Sequence, residues 1–116
     1  MGMDFNTYQT EAFTYKRYPN EHKLWYPVLG LCGEVGEIAE NYKKLLRSKK
    51  EVDLEFKGKI LLELGDVLWY MASICGELDL TLEQVAKANL AKQASRKREG
   101  KNHSTEAAIA EELLSV

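Results

Sequence analysis

Long apolar runs are missing from this chain. Nowhere do 18 apolar residues follow one another, and no signal-peptide core opens it, so neither a membrane span nor export is expected and the protein reads as cytoplasmic. Histidine and cysteine are scarce. His22 and His103 stand in no paired-ligand spacing and Cys32 and Cys75 form no C-x-x-C, which leaves a zinc site without donors and a disulfide without support. Both cysteines fall on apolar helical stripes and are expected to be buried free thiols. A surplus of one charge is missing too: 16 Lys and Arg against 18 Asp and Glu give a net charge of −2. Without a basic stripe, a nucleic-acid duplex is not an expected partner. Finally, no stretch alternates apolar and polar residues with period two, which removes strands and leaves an all-α chain.

What is present fits one helical domain. At 116 residues and 45% apolar composition, the chain can bury roughly two-thirds of its unfolded surface, and no second domain fits. Apolar residues at three- and four-residue steps predict an antiparallel bundle of about four helices, over 4–17, 27–48, 54–78 and 82–98. Asp4 or Asn6 caps the first, Pro27 suits the first turn of the second, and Thr81 with Gln84 forms a capping box for the fourth. Residues 1–100 make the helical domain, and 101–116 form either a loose tail or a short amphipathic helix that docks on a partner.

The chemistry is concentrated in one stretch and its echo. Gly33-Glu34-Val35-Gly36-Glu37-Ile38 is answered 29 residues later by Leu62-Glu63-Leu64-Gly65-Asp66-Val67. Each copy places two carboxylates one turn apart on one side of a helix. With Val35 and Leu64 as the centres of the two apolar stripes, Glu34 and Glu63 fall at one common angular offset and Glu37 and Asp66 at another. The pairs are therefore equivalent about a pseudo-twofold, and two facing helices would gather four acids. Gly36 and Gly65 correspond as well, and a glycine inside a helix costs roughly 1 kcal/mol, which calls for a packing or ligand reason at each. Taken singly, any of these acids is an ordinary solvated helix residue; the matched register of pairs and glycines is what points to a metal site.

Four carboxylates without histidine select Mg²⁺, with Mn²⁺ as the alternative, over zinc. The absence of Glu-x-x-His argues against a ferritin-like di-iron bundle. Carboxylates, a hard cation and phosphate oxygens together suit hydrolysis of a phosphoric anhydride.

Glu34-x-x-Glu37 followed by Glu63-x-x-Asp66 and Val67-Leu68-Trp69-Tyr70 resembles the MazG-like all-α nucleoside triphosphate pyrophosphohydrolases, whose signature is E-E-x-x-E then E-x-x-D. The resemblance spans residues 8 to 98. It implies Mg²⁺-dependent cleavage of a nucleoside triphosphate to the monophosphate and pyrophosphate, a housecleaning activity on the nucleotide pool, by helical bundles assembled as dimers or tetramers. It also implies that Glu34, Glu37, Glu63 and Asp66 are metal ligands, with Glu34 and Glu37 catalytic. Gly33 stands where the family motif has its first glutamate, so one of the remaining acids would both hold metal and orient the attacking water. On the fourth helix Lys87, Asn89, Lys92 and Arg96 resemble the family's substrate-binding residues, and a solvated basic face accounts for them equally well.

Aromatic platforms for the base are sought at Trp25, Tyr26, Trp69 and Tyr70. Trp69 lies far from its helix's own apolar stripe, which marks it as a subunit-interface residue, and together with Tyr70 it predicts a homodimer or homotetramer. Two other readings compete. One is a phosphoribosyl-ATP pyrophosphohydrolase, a relative with similar acidic motifs. The other is a non-catalytic helical module that senses nucleotides or dimerises.

Overall fold

The computed structural model describes residues 2–115, so Met1 and Val116, the ends of the two predicted segments, lie outside it. Helix α1 covers Phe5–Phe13, α2 Tyr26–Ser48, α3 Leu54–Glu77, α4 Leu82–Glu99 and α5 His103–Leu114, with one 3-10 turn at Asn20–His22. No strand occurs among the described residues, in keeping with an all-α MazG-like fold. The helices number five because the C-terminal segment, left open between tail and helix, forms α5.

Local chemistry sets most of these boundaries. Asp4, Asp53, Thr81 and Asn102 each lend a side-chain oxygen to a backbone N–H in the first turn of α1, α3, α4 and α5, and the Thr81–Gln84 capping box is complete. Pro27 sits in the first turn of α2, where its missing N–H costs nothing. Helix α1 ends at Phe13, short of the expected residue 17. The Thr14 hydroxyl donates to the Glu11 carbonyl at 2.6 Å and the next N–H groups bond three residues back, tightening the chain out of the helix ahead of Pro19. Tyr15 to Tyr18 are thereby released from helical geometry.

Helices α2 and α3 form an antiparallel hairpin in which Gly30 lies against the Tyr70 ring and Tyr42 meets Phe56 edge-on, with ring centroids 4.9 Å apart. Helices α1 and α4 cover only the C-terminal half of α3. There Ala12, Ala72, Cys75 and Leu82 make the core, with Tyr8, Leu68, Trp69, Met71 and Leu80 packed around it. Gln9 donates to the Leu80 carbonyl at 2.9 Å and accepts from the Leu82 N–H at 2.7 Å, tying α1 to the α3–α4 turn. Helix α5 docks on α4 through Arg96 to Glu106 at 3.1 Å and Gln84 to the Leu113 carbonyl at 3.2 Å.

Several expectations need correcting here. Trp69 contacts α1 of its own chain, its indole N–H donating to the Ala12 carbonyl at 3.1 Å, instead of standing free for a partner. Conversely, part of the apolar stripe centred on Val35 and Leu64 is left bare: Val35 is 50% exposed, Leu64 52%, Leu61 70% and Leu46 79%. Cys75 is buried as expected, but Cys32 shares the bare stripe and is exposed. Among the described residues nothing lies within 4 Å of where a Cβ on Gly36 or Gly65 would stand, so close packing is not what requires glycine there.

The glycines that packing does require are Gly30 and Gly76. A Cβ on Gly30 would overlap the Tyr70 ring, and one on Gly76 would overlap the Phe13 ring. Gly30→Ala is expected to lower stability by about 1–3 kcal/mol, the cost of overpacking, while Gly36→Ala, unopposed in the chain and gaining helix propensity, is expected not to. Chemical denaturation of both variants checks this, and equal midpoints would contradict it.

Candidate functional site

The register of the hairpin decides which acids meet. With Gly30 level with Tyr70 and Tyr42 level with Phe56, Glu34 lies level with the turn that carries Glu63 and Asp66. Carboxylate oxygens of Glu34, Glu63 and Asp66 all lie within 4.8 Å of one another, a grouping that could hold a cation. Glu34 and Glu63 are half-buried between the helices and Asp66 is exposed. Glu37, one turn further toward the α2–α3 connection and exposed, stays outside this group. The pseudo-twofold of the sequence is thus broken: Asp66 joins the cluster and its counterpart Glu37 does not.

Crowding leaves its mark on Glu34. Burial, a hydrogen bond to Glu63 and the negative charges of Asp66, Glu63 and Glu37 together push its carboxyl up to about 7. Glu34 therefore gives up its proton less readily than an isolated carboxyl does. Tyr70 is also pushed up, by burial first and then by Tyr26, Glu34 and Asp66.

Beside the acids opens a cavity of about 430 Å³, lined by Tyr15, Arg17, Tyr18, Tyr26, Glu34, Asp66, Trp69 and Tyr70. Its aromatic walls brace one another. Tyr18 stacks on Tyr26 with centroids 5.6 Å apart and planes 16° apart, meets Trp69 edge-on at 6.4 Å, and Trp69 meets Tyr70 edge-on at 5.1 Å. The arrangement joins a hard-cation donor set to flat apolar faces, which is what an aromatic ring attached to phosphates would need.

Residues 27–100 match the sequence profile of the MazG nucleotide pyrophosphohydrolase domain, a stretch holding both acidic pairs and helices α2 to α4. The chain belongs to the MazG family. It is also 40% identical over 105 residues to the Gene 37 protein of Mycobacterium phage L5, covering 84% of this chain and 92% of that protein, whose name carries no statement of activity. No solved structure matches.

Of the MazG residues singled out from sequence, the structure brings Glu34, Asp66, Trp69, Tyr70 and Tyr26 to the cavity, with Glu63 adjoining them in the acidic cluster. It does not bring Trp25, which caps α2 and is 70% exposed outside the cavity lining. Nor does it bring the α4 set. Lys87 pairs with Glu83 at 3.5 Å, Lys92 and Arg96 pair with Glu106 at 3.8 and 3.1 Å, and Asn89 is exposed on the same helix, none of them lining the cavity. Two of these cations hold α5 in place. Tyr15, Arg17 and Tyr18 were missed. They lie before residue 27, outside the stretch that matches MazG, and the signal available was only their density: aromatics and cations packed between the end of an aromatic helix and Pro19.

Proposed function

We propose that the protein is a divalent-metal-dependent nucleoside triphosphate pyrophosphohydrolase, splitting (d)NTPs between the α and β phosphates to give the monophosphate and pyrophosphate in the soluble nucleotide pool. What carries the reading is the convergence of Glu34, Glu63 and Asp66 beside an aromatic cavity in a MazG chain. The donor set fits a hard divalent cation: it consists of carboxylates alone, and the crowding that pushes the Glu34 carboxyl up is what a cation there would relieve. Mg²⁺, or Mn²⁺, held by these three acids would neutralise phosphate charge and make the α phosphorus more electrophilic.

The chain's own groups supply the rest. Glu37 is exposed and not drawn into the cluster, so its carboxylate is free to accept the proton of the attacking water, which a ligating carboxylate does poorly. Tyr18, Tyr26, Trp69 and Tyr70 offer stacking faces for the base. Pyrophosphate release across all NTPs and dNTPs with Mg²⁺ tests the reading. Release from phosphoribosyl-ATP alone, or nucleotide binding with no release, would replace it.

The same reading includes self-association. The chain exposes 8897 Å², against about 6,400 Å² for a compact protein of its mass, and its radius of gyration is 17.1 Å against about 13 Å. The exposed apolar side chains include the bare α2–α3 stripe of Val35, Tyr42, Leu46, Leu61 and Leu64. A second copy covering this face would give a homodimer, and pairing of dimers a homotetramer. Leu64→Glu, a charge in the middle of that face, is expected to weaken association at least ~100-fold. Sedimentation velocity at micromolar protein reads the outcome; a wild type that sediments as a monomer would remove the assembly.

A further inference from the structure

The geometry points to Arg17 as the residue that binds the substrate's phosphate chain, held in place by a clamp on Glu77. This rests on the nucleotide reading above and names a residue that the MazG-matching stretch does not contain. The clamp is visible in the contacts of its neighbours. Glu77, in the last turn of α3 with a side chain only 7% exposed, takes Lys16 Nζ on Oε2 at 2.8 Å and accepts the Tyr18 hydroxyl on the same oxygen. Burial alone would push the Glu77 carboxyl up, but the hydrogen bonds from Lys16 and Tyr18 outweigh it and hold the group below its ordinary range, ionised. Lys16 Nζ also lies 5.0 Å from the Tyr18 ring centroid and 5.4 Å from that of Phe13, the ring packed on Gly76.

Both neighbours of Arg17 are therefore turned toward Glu77, and Arg17 between them lines the cavity together with Glu34 and Asp66. No other Lys or Arg among the described residues lines that cavity. Among the described residues Arg17 makes no ion pair, and neither do other exposed cations such as Lys23, Lys44 and Arg47; what sets Arg17 apart is its place in the cavity wall. A triphosphate bound next to three carboxylates needs positive charge beyond what a cation in the cluster supplies. A guanidinium with its donors unspent, on a segment already fixed, gives two parallel hydrogen bonds to phosphate oxygens at little ordering cost.

The test is calorimetric binding of inorganic tripolyphosphate in Mg²⁺, which needs no turnover, alongside thermal melts. Arg17→Ala is expected to weaken binding roughly 10- to 100-fold with an unchanged melt, since Arg17 makes no hydrogen bond or ion pair among the described residues, and Arg17→Lys to recover part of it. Glu77→Gln keeps an acceptor for Tyr18 and loses the charge that holds Lys16. As a positioning residue acting through Arg17, it should cost roughly 3- to 10-fold in the wild type and nothing further in Arg17→Ala, a non-additivity that a purely structural role would not give. Wild type that fails to bind tripolyphosphate, or Arg17→Ala that binds it as well as wild type, overturns the assignment whatever the activity. Loss of binding in Arg17→Ala together with no pyrophosphate release from any nucleotide would sink the activity and leave the Arg17 site standing.

Discussion

Glu34→Gln, Glu63→Gln and Asp66→Asn are each expected to lower turnover at least ~100-fold and to weaken Mg²⁺ binding in step, while Glu37→Gln lowers turnover on the same scale and leaves Mg²⁺ binding near that of the wild type. The split follows from where the side chains stand. Three carboxylates lie within 4.8 Å of one another and would each lose a cation ligand; the amide keeps the shape and removes the charge. Glu37 stands apart, so its loss would be that of a base, read in kcat with the metal requirement intact. Turnover measured against Mg²⁺ concentration, with Mg²⁺ binding followed by calorimetry, separates the two kinds. Glu37→Gln showing the same loss of Mg²⁺ affinity as Glu63→Gln would make it a fourth ligand. Normal turnover in Glu63→Gln would remove the cluster from the reaction.

That split could not be read in the sequence. The paired acidic motifs, their helices and the caps that start them were legible because they depend on local spacing and local hydrogen bonds. Thr81 with Gln84 and Pro27 behave as their residue types dictate. What was not legible is the rotational setting and register of α2 against α3. Periodicity finds an apolar stripe but not what covers it. In one chain Leu68, Met71 and Cys75 of the α3 stripe are packed by α1 and α4, while Leu61 and Leu64 of the same stripe stay bare. Trp69 looked out of place for the same reason. It serves α1, an element set by long-range packing, and reaches Ala12 across 57 positions of sequence. The cavity wall was hidden for a further reason: Tyr15 and Tyr18 look helical or loop-like locally, and it is the early end of α1, with Glu77 accepting the Tyr18 hydroxyl, that sets this segment in the cavity wall.

Mg²⁺ is expected to raise the melting temperature strongly, and the metal-free protein to lose stability as pH rises from about 5 to 7.5. The cause is the raised Glu34 carboxyl, pushed up to about 7 in the folded chain from 4.5 unfolded, by burial and then by its acidic neighbours. Between those values the folded state holds a proton that the unfolded state has released, so stability falls with rising pH through that window and the penalty is complete above about 7. For a half-buried group with solvent screening this is of order 1–3 kcal/mol. Asp4, Glu77 and Glu106 are shifted the other way, each held below its ordinary range, so their contributions change at lower pH and leave the window to Glu34.

A cation bound only by the folded cluster reverses the penalty. At a hundredfold excess over its dissociation constant it adds about 2.7 kcal/mol, which for a chain of this size is roughly 10 °C. The largest Mg²⁺ effect therefore falls above pH 7, where the cluster is fully charged, and shrinks toward pH 5. Glu34→Gln should melt higher than wild type in EDTA at pH 8, show a flatter pH profile between 5 and 7.5, and respond weakly to Mg²⁺. Thermal melts of both proteins at pH 5.5 and 8, each in EDTA and in millimolar Mg²⁺, read all three effects. Equal Mg²⁺ shifts in the two proteins would place the cation elsewhere. A wild type whose EDTA melt does not fall across the window would mean that Glu34 sheds its proton freely and that the carboxylates are not crowded in solution.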